Sequence, residues 1–341
     1  MTKKLLPTMI GVVLVSGMAA AQADVTVFGH LDQSVVSDDT DAGYIPRGRT
    51  PQVGNFAGLD DITSRDNDDI NLQCTTCSIG FKGSEDLGNG LKAIFKLDFQ
   101  FDMDNRNSNG SITDRDQWLG LAGNFGQVRI GTISTSYKSH GAMIDPLYRT
   151  SIQGRDWGMQ SFLHSNAGEE GQGRADNTIR YDSPSWNGLK VIAHYTLDSD
   201  EDGDCFLGDA AIPGSSDDNG CEDDDAYGAG VQYTNGGLLV FADYVTNDSS
   251  ANVANLPLVG LDVGNVYGDL SAWKLGGKYT MNNFAVYGQY EDYDVDWGYG
   301  LELDATQYHV AGSYTMGNNM IYLGYGVTSY DDLLGGGIGA D

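Results

Sequence analysis

The sequence is short of positive charge, proline and long apolar runs. Of its 341 residues only 19 are lysine or arginine, against 48 aspartate or glutamate, which gives a formal net charge of −29 at pH 7. This balance excludes nucleic acid as a natural partner, because phosphate binding requires a basic surface. After residue 23 no stretch approaches the roughly 18 apolar residues of a membrane-spanning helix. The sequence therefore predicts no such helix.

The one apolar run lies at the amino terminus and is typical of an export signal. Two lysines precede the apolar segment Leu5–Ala21, which a proline and a glycine interrupt. Ala21-Gln22-Ala23 then has the small-x-small pattern that signal peptidase cleaves, whereas a transmembrane anchor would be longer and unbroken. We expect residues 1–23 to be a signal peptide. Removal of its two lysines changes the net charge from −29 to −31.

Cysteine is also scarce, with four in the chain. Cys74 and Cys77 form a CxxC, and Cys205 and Cys221 bracket an acidic segment. In an exported chain the default expectation is two disulfides. A zinc site would need the two pairs to meet, and no histidine lies at ligand spacing near either one. A thioredoxin-like redox role would need a βαβ context, which the sequence does not show.

Catalytic motifs are lacking as well. The five histidines are scattered, and neither GxSxG nor HExxH occurs. We therefore expect no enzymatic activity.

What the sequence does contain is a repeated alternation of apolar and polar residues, in segments of about ten residues. In the clearest segment, Leu91–Asp102, six apolar side chains fall on one face. A soluble sandwich would turn that face to a core and a membrane barrel would turn it to lipid, so alternation alone leaves both open. Very short turns that alternate with long polar connections favour the barrel. The thirteen predicted strands are Asp24–Val36, Asn71–Lys82, Leu91–Asp102, Gln117–Gly123, Gln127–Ile133, Asn177–Ser183, Leu189–Leu197, Tyr227–Thr234, Leu238–Val245, Trp273–Thr280, Phe284–Glu291, Thr306–Thr315 and Met320–Val327.

The most specific block of the sequence is Ile79–Ala93, which contains a strand, the turn GSEDLGNG and a return strand. Val25–Gly29 opens the mature chain, Leu119–Gly131 forms a further hairpin, and Asn177–Pro184 is a strand that ends at a proline. Together these blocks resemble the Gram-negative general porins. The likeness covers the whole mature chain and is sharpest up to Leu197.

The resemblance implies an all-β fold, a transmembrane antiparallel β-barrel of sixteen strands in the full protein, assembled as a homotrimer in the outer membrane. Family members close on a strand with a terminal aromatic residue, whereas this sequence ends in the glycine-rich segment Gly335–Asp341. Bacterial barrels have an even number of strands. We therefore expect the sequence to be a fragment that lacks about three strands, with a naturally shortened barrel as the alternative.

The resemblance also implies that the third loop folds into the lumen, where its acidic groups face basic groups on the wall. Ser134–Ala175, within a barrel domain of residues 24–341, is too long for a hairpin connection and is the expected constriction loop. A long surface loop with ordinary charges is the alternative. The acidic candidates on this loop are Asp145, Asp156, Glu169 and Glu170.

Strand alternation points a set of basic side chains inward, because a lysine or arginine that faces lipid at the midplane costs about 2–4 kcal/mol. The expected basic wall comprises Lys92, Lys96, Arg129, Arg180 and Lys190. The acidic net charge predicts attraction of cations at the mouth of the pore, while the basic wall could bind an anionic solute.

The segment Asp198–Asp225 holds twelve acidic residues and begins with a D-x-D-x-D-G pattern. This pattern resembles the start of an EF-hand calcium loop, with an aspartate at the twelfth position where glutamate is usual. The helices of an EF-hand are not predicted here, so a solvated acidic loop is the alternative to weak Ca²⁺ binding. The candidate ligands are Asp198, Asp200, Asp202 and Asp209.

The sequence thus predicts an outer-membrane porin that lets small hydrophilic solutes and ions diffuse through a water-filled pore. A channel that prefers one anion or sugar, and a surface barrel for adhesion or Ca²⁺ binding, are the alternatives. Expected partners are a second and third copy of the chain, outer-membrane lipid and lipopolysaccharide, and the solutes themselves. No cofactor is expected beyond the weak Ca²⁺ site.

Overall fold

β-Strands make up most of the computed structural model, which describes residues 24–40, 67–74, 76–101, 103, 113–150, 153, 160, 173–197, 226–247, 253–254, 265–266, 269–296 and 302–331. The strands are β1 Asp24–His30, β2 Ser34–Thr40, β3 Asn67–Gln73, β4 Ser78–Gly88, β5 Leu91–Gln100, β6 Thr113–Gly123, β7 Gly126–Ser134, β8 Arg174–Asp182, β9 Leu189–Thr196, β10 Ala226–Asn235, β11 Leu238–Asn247, β12 Val253–Ala254, β13 Asn265–Val266, β14 Asp269–Met281, β15 Phe284–Asp296, β16 Glu302–Met316 and β17 Asn319–Asp331. Among the described residues one helix, α1, spans Ser136–Met143.

Thirteen of these strands form one antiparallel sheet in the order β1-β4-β5-β6-β7-β8-β9-β10-β11-β14-β15-β16-β17. Within this sheet each strand therefore pairs with the next of the thirteen along the chain. All thirteen predicted strands are confirmed. Several predicted boundaries are wrong. β4 continues to Gly88 through most of the predicted GSEDLGNG turn, and β14, β15, β16 and β17 each run four or five residues longer than predicted at one end. Two segments are also divided differently. The segment predicted as Asp24–Val36 ends as β1 at His30, and the segment predicted as Asn71–Lys82 is divided between β3 and β4. The cause is a separate β2–β3 ribbon, which takes the adjoining residues.

Tight turns lie at one end of the sheet, as the sequence predicted. Two residues, Asn89 and Gly90, join β4 to β5, and both have positive φ (55° and 78°). Asparagine followed by glycine is the preferred pair for such a hairpin, because both central positions of a type I′ turn require positive φ. Other strand pairs also close over two residues, for example β14 and β15 at Asn282-Asn283.

The two faces of the sheet differ in chemistry. Along β9 the exposed side chains alternate with more buried ones, so that Val191 and Tyr195 lie on one face and Ile192 and His194 on the other. The exposed face carries many large apolar side chains, such as Val310 at 60% exposure. Such an apolar outer surface is unstable in water and suits contact with lipid.

The opposite face surrounds the segment that follows β7. Helix α1 packs on β10, β11 and β14, and shortly after it Arg149 donates a hydrogen bond to the hydroxyl of Ser78 on β4 (2.7 Å). Five strands separate β4 from β10 in the sheet, so the sheet curves around this segment. Among the described residues, no helix combines the length and apolar content needed to cross a membrane.

Candidate pore constriction and its charged wall

The chain turns into the interior at Thr135, immediately after β7. The backbone N–H and the hydroxyl of Thr135 both donate to the carbonyl of Gly173, at 2.9 and 3.1 Å. The two ends of the predicted constriction loop are therefore tied together where they leave the wall. The same hydroxyl accepts a hydrogen bond from the backbone N–H of Lys138 at 3.2 Å. This is the N-cap interaction that favours the start of a helix, and it begins α1.

A buried, hydrogen-bonded pair attaches α1 to β11. The Nδ1 atom of His140 lies 2.9 and 3.0 Å from the two carboxylate oxygens of Asp243. The side chains are 1% and 0% exposed, and the imidazole also stacks on Phe241 with ring centroids 5.1 Å apart. A carboxylate buried this deeply requires a partner that donates hydrogen bonds. His140 supplies it, and this fixes the helix against the wall.

Two lysines of β14 hold the same helix from its backbone. The ammonium of Lys274, which is fully buried, donates to the carbonyl of Tyr137 and lies 3.9 Å from the centroid of that ring. Lys278 donates to the carbonyl of Met143 at 2.9 Å. Burial, together with the negative charge of Glu291, raises the pKa of the Tyr137 hydroxyl well above its usual value of 10. Tyr137 therefore stays neutral beside Lys274 and contributes its ring face to the cation.

The contact between helix and wall is also steric and apolar. Ile144, fully buried at the end of α1, packs on Leu239 and Phe241. At Gly230 a Cβ atom would lie 2.2 Å from Oδ1 of Asp243 and 2.8 Å from the Cβ of Ser136. Only glycine at this position lets the first turn of the helix reach the wall.

On the strands where the loop begins, the wall carries a dense group of ions around Asp182. The carboxylate of Asp182 pairs with Arg129 at 2.8 Å, with Arg180 at 2.7 Å and with Lys190 at 3.4 Å. Gln127 donates a further hydrogen bond to it at 2.9 Å. One carboxylate thus pairs with three cations, on β7, β8 and β9. The group therefore has a local excess of positive charge.

A second group forms around Asp116 on β6. Its carboxylate pairs with Lys96 at 2.8 Å and with Arg174 at 2.9 Å, and it accepts a hydrogen bond from the hydroxyl of Ser134 at 2.7 Å. Lys96 also lies 3.5 Å from Asp98. The group joins β5, β6, β7 and β8 on the inner face.

A β-bulge places Arg115 in this second group. The register between β5 and β6 shifts between Leu97 and Phe99, so the successive side chains Arg115 and Asp116 both turn inward. Arg115 lies 3.4 Å from Asp98 and is 8% exposed. Bulges re-aim side chains in this way. Across both groups six cations share three carboxylates, a formal charge of +3.

The predicted basic wall residues lie on these strands. Lys96, Arg129, Arg180 and Lys190 belong to the two ion groups, whereas Lys92 is exposed near the Asn89-Gly90 turn and pairs in register with Asp86. Among the described residues, their carboxylate partners lie on the wall strands. The loop acids Asp156, Glu169 and Glu170, which the resemblance led us to expect opposite these cations, stay a prediction.

One of the four acidic loop candidates lies in the described part. Asp145 is 5% exposed, and its carboxylate accepts a hydrogen bond from the backbone N–H of Leu147 at 2.9 Å. The remaining predictions lie outside the described residues: the signal peptide 1–23, the loop acids Asp156, Glu169 and Glu170, the calcium ligands Asp198, Asp200, Asp202 and Asp209, and the cysteines Cys205 and Cys221.

Cys74 and Cys77 are joined by a disulfide. With Asp32 they make up the one group of three potential metal ligands among the described residues. Because disulfide sulfur is not a thiolate, this group does not fit a metal ion.

Comparison with known proteins agrees with this architecture. Residues 8–341 match the family described as Gram-negative porin. The chain belongs to the Gram-negative porins. This porin is 28% identical over 336 residues to the major outer membrane protein P.IB of Neisseria sicca, an alignment that covers 93% of this chain and 81% of its relative.

Solved structures share the fold. The anion-selective porin from Comamonas acidovorans has a TM-score of 0.66 and 21% identity, with 91% of this porin and 80% of that chain covered. The trimer form of OmpT from Vibrio cholerae has a TM-score of 0.58 and 16% identity, with coverage of 91% and 78%. This porin is therefore a channel protein of the outer membrane with an antiparallel β-barrel fold, and not an enzyme.

Sequence reasoning missed the contacts that attach the loop of this porin, although strand alternation does place Lys274 on the inner face. His140, Asp243 and Lys274 are far apart in the sequence, and strand register alone brings them together. One signal was available for the wall: Asp182 shares the inward parity of Arg180 in a predicted strand, so an inward carboxylate among the cations could have been anticipated. Asp116 could not, because it precedes the predicted strand and its direction depends on the bulge.

Proposed function

We propose that this porin is an open, water-filled channel through which small hydrophilic solutes and ions diffuse passively. The observation that carries the proposal is the contrast between the two faces of the sheet. The outer face presents apolar side chains, and the inner face holds charged groups around a loop that is attached on two sides. Charged side chains at a narrowing of an aqueous pore determine which ions pass.

We further propose that the protein works as a homotrimer embedded in outer-membrane lipid and lipopolysaccharide. The apolar outer face offers the surface that both lipid and neighbouring copies require. The similarity to a porin solved in a trimer form supports this assembly.

For ion preference the inner wall favours anions, although the chain as a whole is acidic. The two ion groups on β5–β9 carry a formal charge of +3. The described inward charges of the opposite wall cancel, because Asp243 and Glu291 are matched by Lys274 and Lys278. Acidic residues elsewhere would concentrate cations at the mouth, as the sequence led us to expect. We propose that the wall dominates at the narrowest section, in agreement with the similarity to an anion-selective porin.

Planar-bilayer recording in a salt gradient tests both parts of the proposal. We expect a large ohmic conductance and a reversal potential that indicates anion preference. Lys96→Gln and Lys190→Gln remove the cations with 23% and 32% side-chain exposure, so they change the wall charge with little loss of packing. The double variant should shift the reversal potential toward cations, whereas the charge-conserving variants Lys96→Arg and Lys190→Arg should not.

Other outcomes identify the competing functions. A folded protein that conducts no current would contradict a diffusion channel and favour a surface barrel. Block of the current by one anion or sugar at low concentration would favour a solute-specific channel. A cation preference that the double variant leaves unchanged would show that the acidic mouth, and not the wall, sets selectivity. Weak Ca²⁺ binding in the acidic segment stays a prediction, testable by calcium titration of the purified porin.

A further inference from the structure

The disulfide between Cys74 and Cys77 closes a small ring at the start of β4, with two residues between the cysteines. Both cysteines are buried, at 6% and 0% exposure, and so is Thr76 between them at 6%. The backbone N–H of Thr76 donates to the carboxylate of Asp32 at 3.2 Å, and the carbonyl of Cys77 accepts from the N–H of Phe101 at 3.0 Å. The ring is therefore fixed to the ends of β1 and β5.

Arg149 of the loop binds this ring with its side chain and with its backbone. Its Nε donates to the hydroxyl of Thr76 at 3.3 Å, and its Nη2 donates to the carbonyl of Thr76 at 3.0 Å and to the hydroxyl of Ser78 at 2.7 Å. In return, its carbonyl accepts from the hydroxyl of Thr76 at 3.1 Å and lies 3.0 Å from Nε2 of His30. Arg149 thus makes three hydrogen bonds to Thr76 alone.

The backbone of Arg149 adopts an uncommon conformation to make these contacts. Its φ is +67°, in the left-handed region that non-glycine residues rarely occupy. A residue held there costs about 1–3 kcal/mol and persists only where its surroundings determine it. The N–H of Arg149 is satisfied by the side-chain carbonyl of Gln153 at 2.8 Å. The loop is therefore held in this conformation by specific contacts.

Arg149 lies six positions beyond the end of α1, which is fixed to β10–β14 on the far side of the sheet. The segment between the two attachments must cross the interior. We propose that Arg149 is a positioning residue: with Thr76 held in the Cys74–Cys77 ring, it latches the loop onto the β1–β4 wall and so sets the width of the passage. This inference rests on the proposed channel function.

The alternative role for Arg149 is that of one more positive charge on the pore lining. A lysine at position 149 can fulfil the charge role but not the positioning role. A lysine keeps the charge, but it lacks the planar fork that reaches the hydroxyl and the carbonyl of Thr76 together with the hydroxyl of Ser78. Arg149→Lys therefore separates them, and it leaves the disulfide intact should loss of the cysteines impair folding.

The test records single channels of the purified porin for wild type, Arg149→Lys, Arg149→Gln, the double variant Cys74→Ser/Cys77→Ser and a combination of Arg149→Lys with it. The matched control is Cys205→Ser/Cys221→Ser, which removes the other cysteine pair. We expect wild type and the control to keep one steady conductance level. Arg149→Lys, Arg149→Gln and Cys74→Ser/Cys77→Ser should each lose that level and fluctuate between levels, and the combination should show no larger effect than either part.

Different results overturn the latch in distinguishable ways. If Arg149→Lys matches wild type while Arg149→Gln does not, Arg149 acts through its charge. If the effects of the arginine and cysteine variants add, the two features are independent. Conducting variants that all match wild type remove the latch but keep the channel. A folded wild type that passes no current overturns the channel and the latch together.

Discussion

The buried His140–Asp243 pair offers the most direct test of how the loop is held. His140→Ala would leave the carboxylate of Asp243 in a site where it is 0% exposed and without its hydrogen-bond donor. Removal of the partner of a buried carboxylate costs about 3–5 kcal/mol. Lys274, opposite Asp243 in the register of β11 and β14, compensates part of the charge. We therefore expect the lower end, about 3 kcal/mol.

This energy need not unfold the barrel, because α1 can leave the wall instead and let Asp243 meet water in the lumen. Since about 1.4 kcal/mol changes an equilibrium constant tenfold, the ratio of attached to detached helix should fall by roughly two orders of magnitude. The detached state would appear in single-channel records as added conductance levels. The substitution should also lower the urea midpoint of equilibrium unfolding, which tryptophan fluorescence measures.

A double-mutant cycle separates this pair from a general loss of packing. Asp243→Ala alone removes the buried charge, and combined with His140→Ala it should be less harmful than the sum of the two, by about 1–3 kcal/mol of coupling. His309→Ala is the matched control, because His309 is also inward and only 4% exposed but lies 3.3 Å from Tyr322 on the wall instead of binding α1. Additive effects in the cycle, or channel records alike for His140→Ala and His309→Ala, would refute the reasoning.

Two further predictions concern packing on each face of the sheet. Gly230→Ala should displace both the carboxylate of Asp243 and Ser136, and so destabilise the protein by about 1–3 kcal/mol in urea unfolding. Gly288→Ala, whose Cβ would come no closer than 3.8 Å to another residue, should change the midpoint little. Val310→Arg places a cation on the exposed apolar face of β16 and should lower stability in lipid by about 2–4 kcal/mol. The control His309→Arg places the same cation on the inner face at the adjacent position and should lower stability less. Equal losses of stability would contradict the assignment of the two faces.

Strand alternation proved sufficient to predict all thirteen strands of the main sheet, because membrane strands repeat one chemical contrast with a period of two. It failed where the period is broken. Arg115 and Asp116 lie at a bulge, so both point inward although simple alternation would separate them. The division around Gln73 escaped prediction because Gln73 pairs with Ser34 in a ribbon outside the main sheet, and alternation along one strand does not reveal such a pairing.

The candidate site was predictable in outline only. Inward parity identified Lys96, Arg129, Arg180 and Lys190, since that inference needs only local sequence. The partner of a cation depends on the register of strands many residues away. His140 and Asp243, for example, are 103 residues apart in the chain. The resemblance to porins suggested loop carboxylates as partners for the wall cations, whereas the ion pairs of the described residues join the cations to Asp98, Asp116 and Asp182.

The ion groups on β5–β9 neutralise part of their charge among themselves, and α1 is attached to a different set of strands, β10–β14. The electrical character of the passage and its bore consequently depend on different side chains. A mutation at His140 can alter the size limit for solutes while the charge of the two ion groups stays the same, and a mutation at Lys96 or Lys190 can do the reverse. Such a channel can adapt to a new solute in independent steps.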